Sequence, residues 1–263
     1  MPDPVMTSVM RSRLLTCPHG FSTRLGGVSE GIFESLNLGR IENGDDPARV
    51  AENWRIFVSA CGIPTDRFVH GLQVHGNTVL TAGPELAHGI LEPAAHDGAD
   101  GYVTNVPGLP LAVFTADCAP LLMQEPEAGV VAAVHCGWRP TAADIMGAAV
   151  EKMKELGASP ERIRAAVGPC IRQCCFQTGP EVPAAMEALL GPEAGELYGP
   201  DPAAEGRFRV DLPGAVVRRL IQLGLRTENI DDLGACTMCR PDRFWSHRRM
   251  GLARGSQANI IML

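Results

Sequence analysis

The chain has 263 residues, 45% apolar and 20% charged, with a net charge of −7. A chain of this size buries a core large enough to fold without disulfide staples, and an acidic balance argues against a general nucleic-acid or anionic-membrane surface, which needs a net basic face. The N-terminal stretch shows no secretory signal pattern, and no run reaches the roughly 20 apolar residues that span a bilayer, so a cytoplasmic protein is expected, its nine cysteines held as thiols.

In chain order, residues 1–16 read as an N-terminal extension. Asp46-Pro47 starts the first helix, with an Asp N-cap and Pro at the first helical position. Its apolar face is Val50, Trp54, Phe57, Val58 and Cys61, and Gly62 ends it. Short β-rich runs follow at Gly101–Val106, Leu111–Thr115 and Val130–His135. The run VVAAV is apolar on both faces, as in a central strand covered on both sides. A second helix is predicted from Thr141 to Gly157, burying Ile145, Ala149 and Leu156. Ile163–Val167 is a further strand. A third helix runs from about Pro180 to Gly191, and the Gly/Pro/Ala-rich stretch 191–206 reads as a surface loop. The fourth helix starts at Asp211, shows Val216, Val217, Leu220 and Ile221 on one side, and stops at Gly224. Strands and helices mix without strict βαβ alternation, which predicts an α+β (mixed α/β) domain spanning 1–263.

Three places set a chemically active residue at or near an apolar strand end: QVHG with His75, ADCAP with Asp117 and Cys118, and VHCGWR with His135. Strand ends are where rigid scaffolds present functional groups. Two imidazoles and one thiolate are the donor set of a three-ligand zinc site, which keeps a fourth position for water or substrate. The long spacings match no local zinc motif, so buried core residues remain an alternative reading. Cys236-Thr237-Met238-Cys239, with Cys170, Cys174 and Cys175, is a competing cluster, either a structural four-cysteine zinc site or a redox pair. Arg24, Arg139 and Arg248 sit beside glycine turns or aromatics and are candidates for gripping an anion, because a guanidinium fork binds phosphate through two bonds.

Taken together, FSTRLGG and SLNLG, QVHG, ADCAP, AVHCGWR, GPCI with CCF, and CT with FWSHRR resemble, in this order, the YfiH-type family. Its members have been labelled laccase-domain or polyphenol oxidase proteins and, more recently, purine nucleoside phosphorylases. The resemblance implies one zinc per chain on His75, Cys118 and His135, and a single domain of packed mixed sheets flanked by helices. It also implies phosphorolysis of purine nucleosides, including methylthioadenosine, with inorganic phosphate, and a separate adenosine-deaminating activity; a monomer is expected. Asp117 is then the candidate for proton transfer, and Arg24, Asn37, Arg139 and Arg248 for substrate binding. The chain departs from the family pattern at Cys136, which places a second thiol beside the expected metal, at Pro140 after GWR, at Gln177 and Thr178, and in the ending GLARGSQ.

Two other chemistries use the same residues. A copper oxidase needs two histidines and a cysteine at its blue site, but the seven histidines include none of the H-x-H pairs of a trinuclear cluster. A cysteine hydrolase would use Cys118 as nucleophile with His135 or His75 as base.

Overall fold

Period-two alternation along the strands decides how this chain packs. The computed structural model describes residues 9–39, 44–93 and 98–263. A five-stranded sheet contains β1 (His19–Phe21), β2 (Arg67–Val69), β4 (Ala87–Gly89), β6 (Pro110–Thr115) and β14 (Gln257–Met262), in the order β1-β14-β6-β2-β4. A six-stranded sheet contains β3 (Val79–Thr81), β5 (Gly101–Thr104), β7 (Ala119–Glu125), β8 (Val130–Cys136), β9 (Arg164–Val167) and β13 (Ile230–Asp232), in the order β13-β9-β7-β8-β5-β3. Both sheets mix parallel and antiparallel pairs. A small sheet, β10 (Gln177–Thr178), β12 (Phe208–Val210) and β11 (Tyr198–Pro200), completes the described strands.

The large sheets pack face to face. Leu111 and Val113 of β6 and Ile261 of β14 meet Leu122 of β7 and Val131 and Ala133 of β8 in one buried cluster. The alternate residues point outward. Ala112, Ile260 and Met262 pack under helix α1 (Pro47–Ala60) with Trp54, Phe57 and Phe68. Leu121, Met123, Ala132 and Val134 pack under α3 (Ile145–Glu155) and α5 (Leu212–Gln222). The result is a four-layer helix–sheet–sheet–helix arrangement, the mixed α/β domain of packed mixed sheets and flanking helices expected from the sequence. The small sheet packs with α4 (Glu181–Leu190) at one side. Among the described residues, no helix is long and apolar enough to cross a membrane.

Most predicted elements appear with ends shifted by one or two residues. Asp46 caps α1 by accepting from the N–H of Ala48 and Arg49. The helix expected over 141–157 is a correction. It is two helices, α2 (Trp138–Ala142) and α3, parted at Asp144 in the left-handed region with φ 59°. The Asp144 carboxylate caps the Gly147 N–H and pairs with Arg219 of α5 at 2.6 Å, so a tertiary ion pair holds the break. The loop expected over 191–206 contains a 3₁₀ turn, Gly191–Glu196, and β11. Residues 9–16 of the expected extension are fastened down: Met10 bridges Phe21, and Gln124 accepts from the Thr16 N–H.

The apolar stretch Leu109–Met123 carries the consequence that matters for the site. It is β6 of one sheet followed by β7 of the other, and the chain crosses between the sheets at residues 116–118.

Candidate active site and metal centre

Three chain segments converge at that crossing. Cys118 lies on the crossover itself, His135 near the end of the neighbouring β8, and His75 on the connection from β2 to β3. Their ligand atoms all lie within 4.8 Å of one another. Cys118 Sγ is 3.9 Å from His75 Nε2, against roughly 3.5 Å for sulfur and nitrogen sharing a tetrahedral zinc. The three residues form a potential metal-binding site.

The backbone here is held where side chains rarely go. Among the described residues, His75 and Asp117 are two of the three non-glycine positions with positive φ, at 59° and 92°. Such positions persist only when surrounding bonds over-determine them. Asp100, fully buried just before β5, does this for His75. It accepts from the N–H groups of Val74, His75 and Gly76 at 2.9–3.1 Å. It also accepts from His135 Nδ1 at 2.7 Å. With Nδ1 committed to Asp100, Nε2 of His135 is the nitrogen left free to hold a metal, in the carboxylate–histidine arrangement that supports metal ligands. Asp117 is held by the Thr237 hydroxyl at 2.6 Å and the Arg248 N–H at 2.6 Å.

The electrostatics prepare the ligands. Burial pushes the Cys118 thiol up, but His135 and His75 outweigh it and bring its pKa down to about 6. Burial pulls His135 down, while the Cys118 thiolate and Asp100 raise it to about 9. Burial likewise raises Asp100, and its bonds from His135 and the backbone bring it below the ordinary carboxylate value. The thiolate is the ligating form of cysteine, so this donor set suits a thiophilic, imidazole-binding ion such as zinc. The same crowding favours glycine at 137. A Cβ there would sit 3.0 Å from Cys118 Sγ and 3.2 Å from His75 Cδ2.

The three residues line a cavity of about 430 Å³, within the usual range for small-molecule sites. Phe114, Ile171, Phe176 and Leu72 make its apolar walls, and Arg248, Arg254, His247, Asp117 and Ser256 its polar ones. Gln73 fixes the His75 segment to β6 by exchanging two hydrogen bonds with the Phe114 backbone.

The structure brings His75, Cys118, His135, Asp117 and Arg248 together on this cavity. Asp117 stands there with both carboxylate oxygens engaged, as a positioning group. Arg248 donates one N–H to the Gln177 carbonyl and lies 5.5 Å over the Phe176 ring. The other expected substrate residues do not line the cavity. Arg24 stacks on Trp245 at 3.9 Å and donates to the carbonyls of Glu34 and Pro241, tying two loops together. Asn37 is fully buried and bonds Asp45 and the N–H groups of Gly39 and Ser256. Arg139 is exposed and covers Trp138. Cys136 is a correction too: strand alternation turns it away from His135 into the core under α3, where burial pushes its thiol well up. Pro140 lies in the first turn of α2, where the missing N–H has no helical partner to lose.

Two residues of the candidate site escaped the sequence reading. Arg254, in the unusual ending GLARGSQ, lines the cavity, its pKa lowered by burial against the opposing pull of Asp117 and Cys118. Asp100 carries no local signal beyond its place one residue before a strand.

Residues 18–263 match the family described as multi-copper polyphenol oxidoreductase laccase. A Deinococcus radiodurans protein named purine nucleoside phosphorylase is 41% identical over 257 residues, covering 97% of this chain and 92% of that one. A protein named adenosine deaminase RL5, from an unknown prokaryotic organism, is 34% identical over 89% of this chain and 90% of its own length. Among solved structures, YlmD from Geobacillus stearothermophilus superposes with a TM-score of 0.87 at 31% identity, over 99% of both chains.

Proposed function

Because the chain belongs to the laccase-like YfiH family, we propose that it is a zinc-dependent purine nucleoside phosphorylase that also cleaves methylthioadenosine and deaminates adenosine. The observation that carries this reading is one cavity joining a two-histidine, one-cysteine centre to two arginines and two phenylalanine rings. Phe114 and Phe176 offer flat apolar surfaces of the kind a purine stacks on. Arg248 and Arg254 are the cations for phosphate, which a chain of net charge −7 cannot attract by its overall field. Phosphorolysis brings an anion to C1′ of the ribose and lets a purine anion depart, so fixed positive charge in a dry cavity lowers its barrier. His75, Cys118 and His135 would hold the ion, which when bound supplies a Lewis acid and lowers the pKa of water. Asp117 keeps the Arg248 backbone in place, and Asp100 keeps His135 and His75 aimed inward. We place the protein in the cytoplasm as a monomer.

The deciding experiment incubates purified protein with inosine and with adenosine, with and without phosphate. Ribose 1-phosphate and free base should form only with phosphate, and inosine should form from adenosine without it. Failure of both products in metal-replete protein would sink the proposal.

The order Asp100–His135–Cys118, with a lowered thiol pKa, also fits a cysteine hydrolase. Metal removal separates the two. Chelation inactivates the zinc enzyme and zinc restores it, whereas a thiol hydrolase gains activity on chelation and loses it to iodoacetamide.

A further inference from the structure

We propose that Cys174, Cys175, Cys236 and Cys239 bind a second, structural zinc ion that clasps together two segments, one within the apolar wall of the cavity and one leading to its arginine wall. The four sulfurs lie within 4.8 Å of one another. Cys239 Sγ is 3.5 Å from Cys174 Sγ and 3.3 Å from Cys175 Sγ. Four thiolates around a zinc at about 2.3 Å stand about 3.8 Å apart in a tetrahedron, a few tenths of an ångström beyond the two closest separations and inside the limit for all four. A cluster of several irons would stand between its cysteines and hold their sulfurs farther apart.

The surroundings suit a thiolate-rich ion. Four thiolates and one divalent cation leave a net charge of −2. Arg209 donates to the Cys174 carbonyl and Arg249 to the Met238 carbonyl, placing two guanidinium groups beside it. Without an ion, four thiols crowd one spot; Cys175 packs against an apolar cluster and Cys236 is buried, but Cys174 and Cys239 are exposed and have no core to fill.

The ligands come in pairs from segments far apart in sequence. Cys174 and Cys175 lie between Ile171 and Phe176, both on the cavity wall. Cys236 and Cys239 flank the segment whose Thr237 bonds Asp117 and which leads to α6 (His247–Met250) and Arg248. The two segments already touch through backbone pairing, an isolated parallel β-bridge between residues 170 and 236. An ion there ties the apolar wall to the arginine wall and contributes folding free energy directly.

The test counts zinc in protein purified under reductant and probes its ligands by X-ray absorption. Wild type should hold about two zinc ions per chain, and Cys174→Ser with Cys239→Ser about one fewer. His75→Ala with Cys118→Ala should retain the clasp ion, with four sulfur neighbours at about 2.3 Å. That second variant stands even if the first fails to fold. An unchanged zinc count in the clasp variant, nitrogen or oxygen neighbours in the His75/Cys118 variant, or a disulfide mapped among the four cysteines would each overturn the proposal. Because the clasp is read by difference, an empty His75 site would not affect the result.

Discussion

Asp100 Oδ1 lies 2.7 Å from His135 Nδ1, and the main-chain oxygen of Asp100 accepts the His135 N–H at the same distance. One buried residue thus fixes the ring and the backbone of one expected metal ligand while its carboxylate gathers the N–H groups that shape the loop of another.

Asp100→Asn keeps the size but loses the charge that orients His135. Supports of this kind are worth about 10- to 100-fold in metal affinity. A competition titration against a chromogenic chelator should show a loss of that order with the circular dichroism spectrum unchanged. Wild-type affinity in the variant would remove Asp100 from the account.

Gly137→Ala places a methyl against Cys118 Sγ and His75 Cδ2. If those atoms hold the proposed ion, they cannot retreat without leaving it. Overpacking of about 1–3 kcal/mol, or about 5- to 150-fold, should appear as weaker metal binding rather than as unfolding. Metal content after dialysis against a weak chelator, read beside thermal melting, checks this. A variant that melts early but keeps its metal would contradict it.

Arg248→Ala or Arg254→Ala should raise the phosphate concentration needed for half-saturation. Loss of a charge-assisted bond costs about 1.5–3 kcal/mol, or about 10- to 150-fold. Adenosine deamination without phosphate should fall much less. Arg24→Ala should behave differently, since its guanidinium ties loops outside the cavity. Its phosphate dependence should stay near wild type while the melting temperature drops. Equal loss of both reactions in the Arg248 and Arg254 variants would refute their assignment to phosphate.

Glu125 has a fully buried side chain. Burial raises its pKa, and Arg162 with the N–H groups of Glu127 and Ala128 more than reverses this. A carboxylate with a depressed folded pKa stabilises the fold above its unfolded pKa of about 4.3. That contribution disappears as pH falls through the lower folded value. Glu125→Gln should therefore be less stable than wild type at neutral pH by about 1.5–3 kcal/mol. The gap should narrow as pH drops below about 4.3. Urea titrations at several pH values would show it, and a gap that widens in acid would reverse the assignment.

Local chemistry was enough for much of the fold. The Asp-Pro start of α1, the Asp211 start of α5 and the doubly apolar run of β8 act through neighbours in sequence, so they were legible without a structure. Cys118 and His135 were legible because each stands at or near a strand end where a reactive side chain is out of place; His75 lies mid-connection between β2 and β3, against the strand-end expectation, and was legible through its QVHG motif. What escaped depends on contacts between distant segments. Asp144 breaks a helix because Arg219 of another helix pairs with it. β7 was hidden because Pro120 and Asp117 interrupt an apolar run that is in fact two strands of different sheets. The choice among the arginines was likewise tertiary. Arg24, Arg139 and Arg248 carry the same fork and similar neighbours, yet only Arg248 reaches the cavity, joined there by Arg254 from a segment that the sequence did not single out. Composition and spacing name which groups are capable of binding an anion or a metal. Which of them meet in one cavity is set by the crossing of the chain between two sheets at residues 116–118, and no local pattern encodes that crossing.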